Sequence, residues 1–523
     1  MAGEPHAADK DTRHPFGFAQ GEPYDGGSAG RGSQTLSRRP EVAAKVPPLT
    51  NGNGRCPPVA GSTGRANTNV YEWESTMPTR TLLLTILATI FLAGCGGEPA
   101  GETIESYTLE NGLTVVLRPL DGADQVALVV LHPLGNHHDP QGQSGLAHLI
   151  EHCYVTAQGG PTPPRTMQQY VARYPGGWNA QTGDRFTVAA CVFPPERLEE
   201  ELRDAAARLG DLRITRADLA REVPRVVSEL GNMYGGMPML AAANLAREHV
   251  RPTPRGGRRG GRPDQVQRLT AEGLQQRWSR FYRARGTILV LAGAVEPEAV
   301  RDRVHHYFHT LPAGESAPDP AEVPEPTLPV TETVEVRAAR PNAQAAACLA
   351  WAAPQPDDDL YAPFLVLVAR LWQQVQAGGA GRGGPMVRFA PLDDPHVVAL
   401  VGAVGSSTPE EAIAALEQML AEAVAQPFSK ADLAAARNAF GWMLGVADVP
   451  DRTLARNPYG AAFSAGRRIQ LGIDPADLRA RLDAVTAEDV ARAAETVFAP
   501  DRRAAVVVVP AGSERRAPRK RGG

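Results

Sequence analysis

The chain repeats itself. LTAEGLQQRWSRFYRARGTILVLAG (269–293) is similar to VTAEDVARAAETVFAPDRRAAVVVVPAG (485–512). In each stretch a threonine, Thr270 or Thr486, stands where its hydroxyl can cap a helix. A glutamate, Glu272 or Glu488, occupies the first turn, an aromatic lies near the helix end, and an apolar strand follows. The offset is about 216 residues, a plausible domain length. Such a chain folds as two related halves. Between them LPAGESAPDPAEVPEPTLPV (311–330) is rich in proline and acids, which makes a semi-extended linker. Strands mixed with runs of helices predict an α+β fold of two homologous domains. Each is a mostly antiparallel sheet with helices packed on one side. The first domain is expected over 104–312, the Pro-rich linker over 313–330, the second domain over 331–512, and a basic tail over 513–523.

The text before the first half is of another kind. Residues 1–76 are rich in Gly, Pro, Ser and Arg and have no sustained hydrophobic period, so they are read as disordered. From Met77 the chain reads MPTRTLLLTILATIFLAGCGGEPAGE. Its apolar run of about 13 residues is short for a membrane span of about 20 and suits a signal segment. The run closes on Leu92-Ala93-Gly94-Cys95, which resembles a bacterial lipoprotein signal. That likeness implies that 77–94 is removed, that Cys95 is lipidated, and that 95–103 is a tether. It points to the cell envelope, to an outer-membrane anchor facing the periplasm, and to Met77 as the true start. The competing reading is an uncleaved anchor helix.

The first half opens on SYTLENGLTVVLRPL (106–120), with Asn111-Gly112 as a hairpin signal, and DQVALVVLHPLG (124–135) as its neighbouring strand. NAQTGDRFTVAACVF (179–193) is strand-like again, three helical stretches follow to about 284, and GTILVLAGAV (286–295) ends the unit. Hydrophobic content of 43% supports a real core. A net charge of −4 gives no reason to propose nucleic acid. The 5 cysteines form no CxxC pair, which argues against a disulfide scaffold.

Within GLAHLIEHCYVTAQ (145–158), His148, Glu151 and His152 stand at i, i+3 and i+4 and share one helix face. Two imidazoles one turn apart can hold one zinc ion. The glutamate between them can take a proton from the water the metal polarises. Catalytic zinc takes three protein ligands, so a third must come from elsewhere. Taken alone, the pattern competes evenly with chance. Cys153, at i+5 from His148, is rotated away and reads as a small core residue. His137 and His138, on the preceding loop, are explained by loop polarity. His305 and His309 end a helix, where partly cationic histidines suit the dipole.

The surroundings decide. Gly145 to His152 resembles the GLAH-x-x-EH run of the insulinase/pitrilysin family of zinc peptidases, the inverzincins. In ADLAREVPRVVSELGNMYG (217–235), Glu229 stands beyond His152 at close to the spacing of the family's ligand glutamate, and Glu222 lies nearly two turns before it. By themselves these two read as solvated helix acids paired with Arg221 or Arg225. The resemblance implies Glu229 as the third ligand and Glu222 as an acid bonded behind a ligand. Pro224 departs from a regular helix and is expected to kink it. Gly176-Gly177-Trp178-Asn179-Ala180-Gln181-Thr182 resembles the family's strand edge, implying that Asn179 and Ala180 align substrate backbone by strand addition. In DRTLARNPYG (451–460), Arg452 and Tyr459 match a substrate-contacting Arg and Tyr, although Arg456 competes with Arg452 and an ordinary helix-face pair fits almost as well.

The resemblance runs from about Ser106 to Gly512. It implies a zinc-dependent endopeptidase acting on peptides or unfolded polypeptides. His148, His152 and Glu229 would hold Zn²⁺, Glu151 would be the base, and Tyr459 a donor to the developing oxyanion. It also implies a second chain, as a homodimer or as a heterodimer with a related subunit. The alternatives are a non-catalytic or partner-dependent subunit of the same family, and a solute-binding envelope lipoprotein.

Overall fold

The computed structural model describes residues 104–337, 343–377, 384–404 and 408–511. The expected disordered leader, signal segment, Cys95, tether and basic tail lie outside the described residues. Among the described residues no helix is long and apolar enough to cross a membrane.

The first half builds its sheet from β1 (Glu105–Thr108), β2 (Thr114–Pro119), β3 (Val126–His132), β4 (Trp178–Thr182), β5 (Thr187–Phe193) and β6 (Ile288–Gly293). Their order is β1-β2-β6-β3-β5-β4. All pairs are antiparallel except β2 with β6. The second half uses β7 (Val330–Val336), β8 (Ala346–Ala352), β9 (Met386–Ala390), β10 (Asp394–Ala403) and β11 (Ala504–Pro510), in the order β9-β10-β8-β11-β7. Here too one pair is parallel, β7 with β11. Read outward from the parallel pair, β2-β6-β3-β5-β4 and β7-β11-β8-β10-β9 are one topology. The fold is two-domain α+β, as the repeat predicts. The repeated segments occupy equivalent places: Ala271–Phe281 leads into β6, and Ala487–Val497 leads into β11.

Helices of the first half are α1 (Leu146–Thr156), α2 (Met167–Arg173), α3 (Leu198–Asp211), α4 (Arg216–Gly231), α5 (Pro238–Val250), α6 (Ala271–Phe281) and α7 (Pro297–Phe308). Those of the second are α8 (Tyr361–Ala377), α9 (Pro409–Ala425), α10 (Lys430–Leu444), α11 (Pro458–Leu471), α12 (Pro475–Asp483) and α13 (Ala487–Val497). Between the strands of 179–193 and β6 the helical text is therefore more divided than three stretches.

Strand β3 is buried along its whole length because both faces of its sheet are covered. Leu128 and Val130 pack with Leu149, Ile150 and Trp278 of the first half's own helices. Val129 and Leu131 point the other way, into a cluster with Ala461, Ala462 and Ala465 of α11 from the second half. The exchange is mutual. Helix α5 packs its Ala242 and Ala246 against Cys348, Val401 and Val506 of the second sheet. Each half thus keeps its own helices on one face and receives one helix from the other half on the opposite face. Contact is close: a Cβ at Gly466 of α11 would overlap the Leu131 and Val290 side chains.

Charge joins the halves as well. Arg247 on α5 donates to Asp184 at 2.6 Å and to Asp394 at 2.7 Å, and Arg259 donates to Asp394 at 2.7 Å. The proline-rich connection forms no helix or strand from 312 to 329. It is strapped to the first half by Glu315 N donating to Arg280 O and Ala321 N to His137 O.

Candidate functional site

Helix α1 begins at Gly145, whose φ of +98° is open to glycine and strained for other residues. A Cβ there would also overlap the Val266 side chain. Its free N–H groups are met by Asp139, whose carboxylate accepts from Gly145 N at 2.8 Å and Ala147 N at 2.9 Å. Burial pushes the Asp139 carboxyl up to about 7, with those N–H donors and Arg277 opposing the shift. The helix is buried throughout, so its polar face must be satisfied from within the fold.

The three motif residues come together there: His148, Glu151 and His152 present ligand atoms within 4.8 Å of one another. Glu229 completes the arrangement from α4. Its Oε2 lies 3.6 Å from His148 Nε2 and 3.5 Å from His152 Nε2. Ligands about 2.0–2.1 Å from a tetrahedral zinc ion are about 3.4 Å apart, so these separations fit a shared metal. The remaining ring nitrogens are anchored behind. His148 Nδ1 lies 2.8 Å from Gly260 O, and His152 Nδ1 lies 3.4 Å from Glu222 Oε2. A carbonyl can only accept, so His148 carries its proton on Nδ1 and aims the Nε2 lone pair inward.

Glu222 is held in turn by Arg221 at 2.8 Å and Arg225 at 3.1 Å. The sequence offered these arginines and a histidine as rival partners, and the structure supplies both. Pro224 does not interrupt α4, which is helical from Arg216 to Gly231. Pro224 and Ala220, whose carbonyl the missing N–H would have met, are both exposed, so water can take that carbonyl. The helix then passes into a π-helical turn, Asn232–Gly236.

Electrostatics match this geometry. Burial opposes charge on both histidines, but the surrounding carboxylates outweigh it. His152 is drawn up to about 10 by Glu222, Glu229 and Glu151, and His148 is raised by Glu229 and Glu151. Burial likewise opposes charge on Glu222, yet His152 and the arginines hold it down to about 2. Glu229 has a half-exposed side chain, and the two histidines outweigh the desolvation it does undergo and hold it well below the usual carboxylate range. Glu151 goes the other way: burial raises it, and the nearby imidazoles only partly offset this. It accepts a hydrogen bond from Thr182 Oγ1 at 2.7 Å.

Thr182 ends β4, the edge strand of the first sheet, on which Asn179 and Ala180 pair with Ala190 and Ala189 of β5. The other edge of β4 has no strand partner among the described residues. Asn179 Nδ2 donates to Tyr459 OH at 2.6 Å. Tyr459 is at the start of α11, the exchanged helix, so the second half delivers it to β4. Burial raises its phenol well above the usual range. Arg452 and Arg456 are not brought here by any bond; both are exposed and, among the described residues, neither has a hydrogen-bond or ion-pair partner.

Other histidines are placed differently from a polar loop. His137 is buried 3.3 Å from Asp184, and His138 Nδ1 accepts from Gly135 N at 3.0 Å. Burial lowers both to about 4. Cys153 is buried in the first half's core. His305 and His309 stack at 4.5 Å on the surface at the end of α7.

Sequence reasoning missed Asp139, Gly260 and Thr182 as supports. Thr182 stood within the quoted strand-edge motif and could have been found there. Gly260 lies far along the chain in a glycine–arginine loop, RGGRRGG, with no local signal for its role.

Comparison with known proteins adds three findings. A family model described as "Peptidase M16 inactive domain" matches residues 268–440. The motif helix lies outside that span. The zinc protease PqqE of Helicobacter pylori is 26% identical over 216 residues, 40% of this chain and 47% of that protein. The chain spans about half the length of the curated relatives it matches. Among solved structures, a protease from Helicobacter pylori superposes with a TM-score of 0.64 at 19% identity, covering 78% of this chain and 100% of the other. The first half of the periplasmic protease PqqL from Escherichia coli gives 0.59 at 18% identity, covering 79% and 93%. These two establish the fold.

Proposed function

The chain belongs to the insulinase-like M16 peptidase family, and we propose that it is a zinc-dependent endopeptidase that hydrolyses peptides or unfolded polypeptides in the bacterial cell envelope. The observation that carries this reading is the convergence of His148 Nε2 and His152 Nε2 on one oxygen of Glu229, at 3.6 and 3.5 Å. His148, His152 and Glu229 are the ligand set. Glu151 also lies close, but its bond to Thr182 and its raised proton affinity suit a base better than a ligand. Zinc bound there supplies Lewis-acid polarisation of the scissile carbonyl and of the attacking water.

The chain's own groups do the rest. Glu151 takes the proton of the attacking water and passes it to the leaving amine. Glu222, fixed by two arginines, holds the His152 ring in orientation. The free edge of β4 takes an extended peptide as an added strand, aligned at Asn179 and Ala180. Tyr459 accepts from Asn179, which leaves its own O–H to donate to the developing oxyanion. Arg452, exposed near the start of α11, contacts substrate farther out. A second chain, either a copy of this one or a related subunit, closes the site. Cys95 carries the lipid that anchors the protein to the outer membrane on its periplasmic side.

A second reading has one observation in its favour: the matched family model is described as an inactive domain. On that reading the chain is a non-catalytic or partner-dependent subunit. One experiment separates the two. The chain from Gly96 onward is assayed on a quenched library of unstructured peptides beside Glu151→Gln, with zinc content measured for both. The peptidase reading expects cleavage by the parent and a zinc-loaded, inactive variant. Zinc-loaded parent protein that cleaves nothing, alone or with a related subunit, sinks it.

A further inference from the structure

One buried amide beside the site has no part in the chemistry above. Asn136 is 4% exposed, in the turn between β3 and α1. Its carboxamide is spent on two backbone groups. Nδ2 donates to Gly183 O at 3.0 Å, and Oδ1 accepts from Gly260 N at 3.2 Å. The partners fix the amide's orientation, because the flipped form would set N–H against N–H and oxygen against oxygen.

Both partners lead directly to the site. Gly260 carries the carbonyl that accepts from His148 Nδ1. Gly183 follows Thr182, the residue that donates to Glu151 and ends the substrate-edge strand. Gly260 has a φ of +77°, and a Cβ there would come within 3.0 Å of Leu230, so the loop gains its path at the expense of stiffness. The peptides on either side of Gly260 are each tied: Gly261 N donates to Arg258 O at 2.8 Å, and Gly260 N donates to Asn136 Oδ1.

We propose that Asn136 is a positioning residue that sets the His148 imidazole with one arm of its amide and the end of the substrate-edge strand with the other. The metal ligand and the strand that carries the peptide are thereby kept in one frame. Oδ1 acts through Gly260 on the direction of the His148 lone pair. Nδ2 acts through Gly183 on Thr182 and so on Glu151. The inference rests on the zinc-peptidase reading.

The test uses Asn136→Ala, which removes both arms, and Asn136→Asp, which keeps the acceptor for Gly260 N and removes the side-chain donor to Gly183 O, leaving only the residue's backbone N–H on that carbonyl at 3.0 Å. Zinc affinity is measured by chelator competition, turnover on a quenched peptide at saturating zinc, and folding by thermal melting of the metal-free proteins. Asn136→Ala is expected to lose about 10- to 100-fold in zinc affinity, the usual scale for a group behind a metal ligand. Asn136→Asp is expected to hold zinc within about threefold of the parent and to lose kcat about tenfold or more. Parent-like zinc affinity in a folded Asn136→Ala overturns the inference and leaves the peptidase reading standing. Equal loss of zinc in both variants also overturns it, because the two arms would then not be separate. If Asn136→Ala does not fold, Asn136→Asp decides by the same two readouts. A parent that takes up no zinc overturns both the inference and the reading beneath it.

Discussion

Asn179 Nδ2 and Tyr459 OH are 2.6 Å apart, a hydrogen bond between the edge strand of the first half and a helix supplied by the second. Because the phenol accepts there, its proton is free to face a substrate. Tyr459→Phe keeps the ring and removes that donor. We expect kcat to fall about 100-fold, the scale for loss of one oxyanion donor, with zinc content unchanged. A steady-state comparison that finds only KM altered would assign Tyr459 to binding alone.

Glu222 is buried and bonded to His152 Nδ1. Glu222→Gln removes the charge and leaves a neutral amide against the ring. Zinc affinity is expected to drop about 10- to 100-fold, while far-ultraviolet circular dichroism stays the same. An unchanged chelator-competition curve would show that the arginines, not the histidine, account for Glu222.

Acid should weaken the fold through histidines buried in neutral form. His132 lies among Tyr154, Trp278 and Tyr282, and burial lowers it to about 3. His137 and His138 are lowered to about 4, and His396 to about 3. A depressed folded pKa gives stability that is complete above the unfolded value near 6.5 and is lost as pH falls through the folded value. Asp139, raised to about 7, acts in the opposite sense: its contribution is lost as pH rises towards 7. His148, His152 and Glu151 are raised as well and act in the sense of Asp139, so the effect of a neutral buried histidine is read between pH 6.5 and 4 from a variant compared with the parent. Each histidine accounts for up to about 1.4 kcal/mol per pH unit. Urea titrations across this range should show His132→Gln with a slope shallower by about one proton. Identical slopes would mean that His132 does not stay neutral in the fold.

Gly466→Ala is expected to cost about 1–3 kcal/mol, because the added methyl meets Leu131 and Val290 where α11 crosses the first sheet. Chemical denaturation would measure it. A stability equal to the parent's would mean that α11 can lift from the sheet without loss.

Much of the site was legible because its pattern is local. His148, Glu151 and His152 share a helix face by spacing alone, and an alternative strand reading would scatter them. Glu229 needed a family spacing, since nothing within 217–235 distinguishes a ligand from a solvated acid. What stayed hidden depends on distant pairings. The Asn136 side chain meets Gly260 at a backbone N–H that any sequence possesses. The exchange of α5 and α11 was also unreadable. Their alanines and Gly466 permit close approach to a sheet without saying which sheet. Pro224 was expected to bend its helix; the helix runs unbroken from Arg216 to Gly231, and the carbonyl left without a partner faces water. His137 and His138 were assigned to loop polarity and are core residues, since the loop they occupy is walled in by Gly183 and the 253–261 segment.

The crossing of α5 and α11 has a consequence for how this molecule can be assembled. Each sheet is left with a bare apolar face until the opposite half arrives with its helix, so neither half is a finished object. A polypeptide emerging from the ribosome carries the motif helix long before Tyr459 has been made. On the proposed chemistry, the arrival of Tyr459 at the site and the closure of the fold are one event. Cut at the proline-rich connection and co-produced, the two fragments should find each other in the manner of a split reporter.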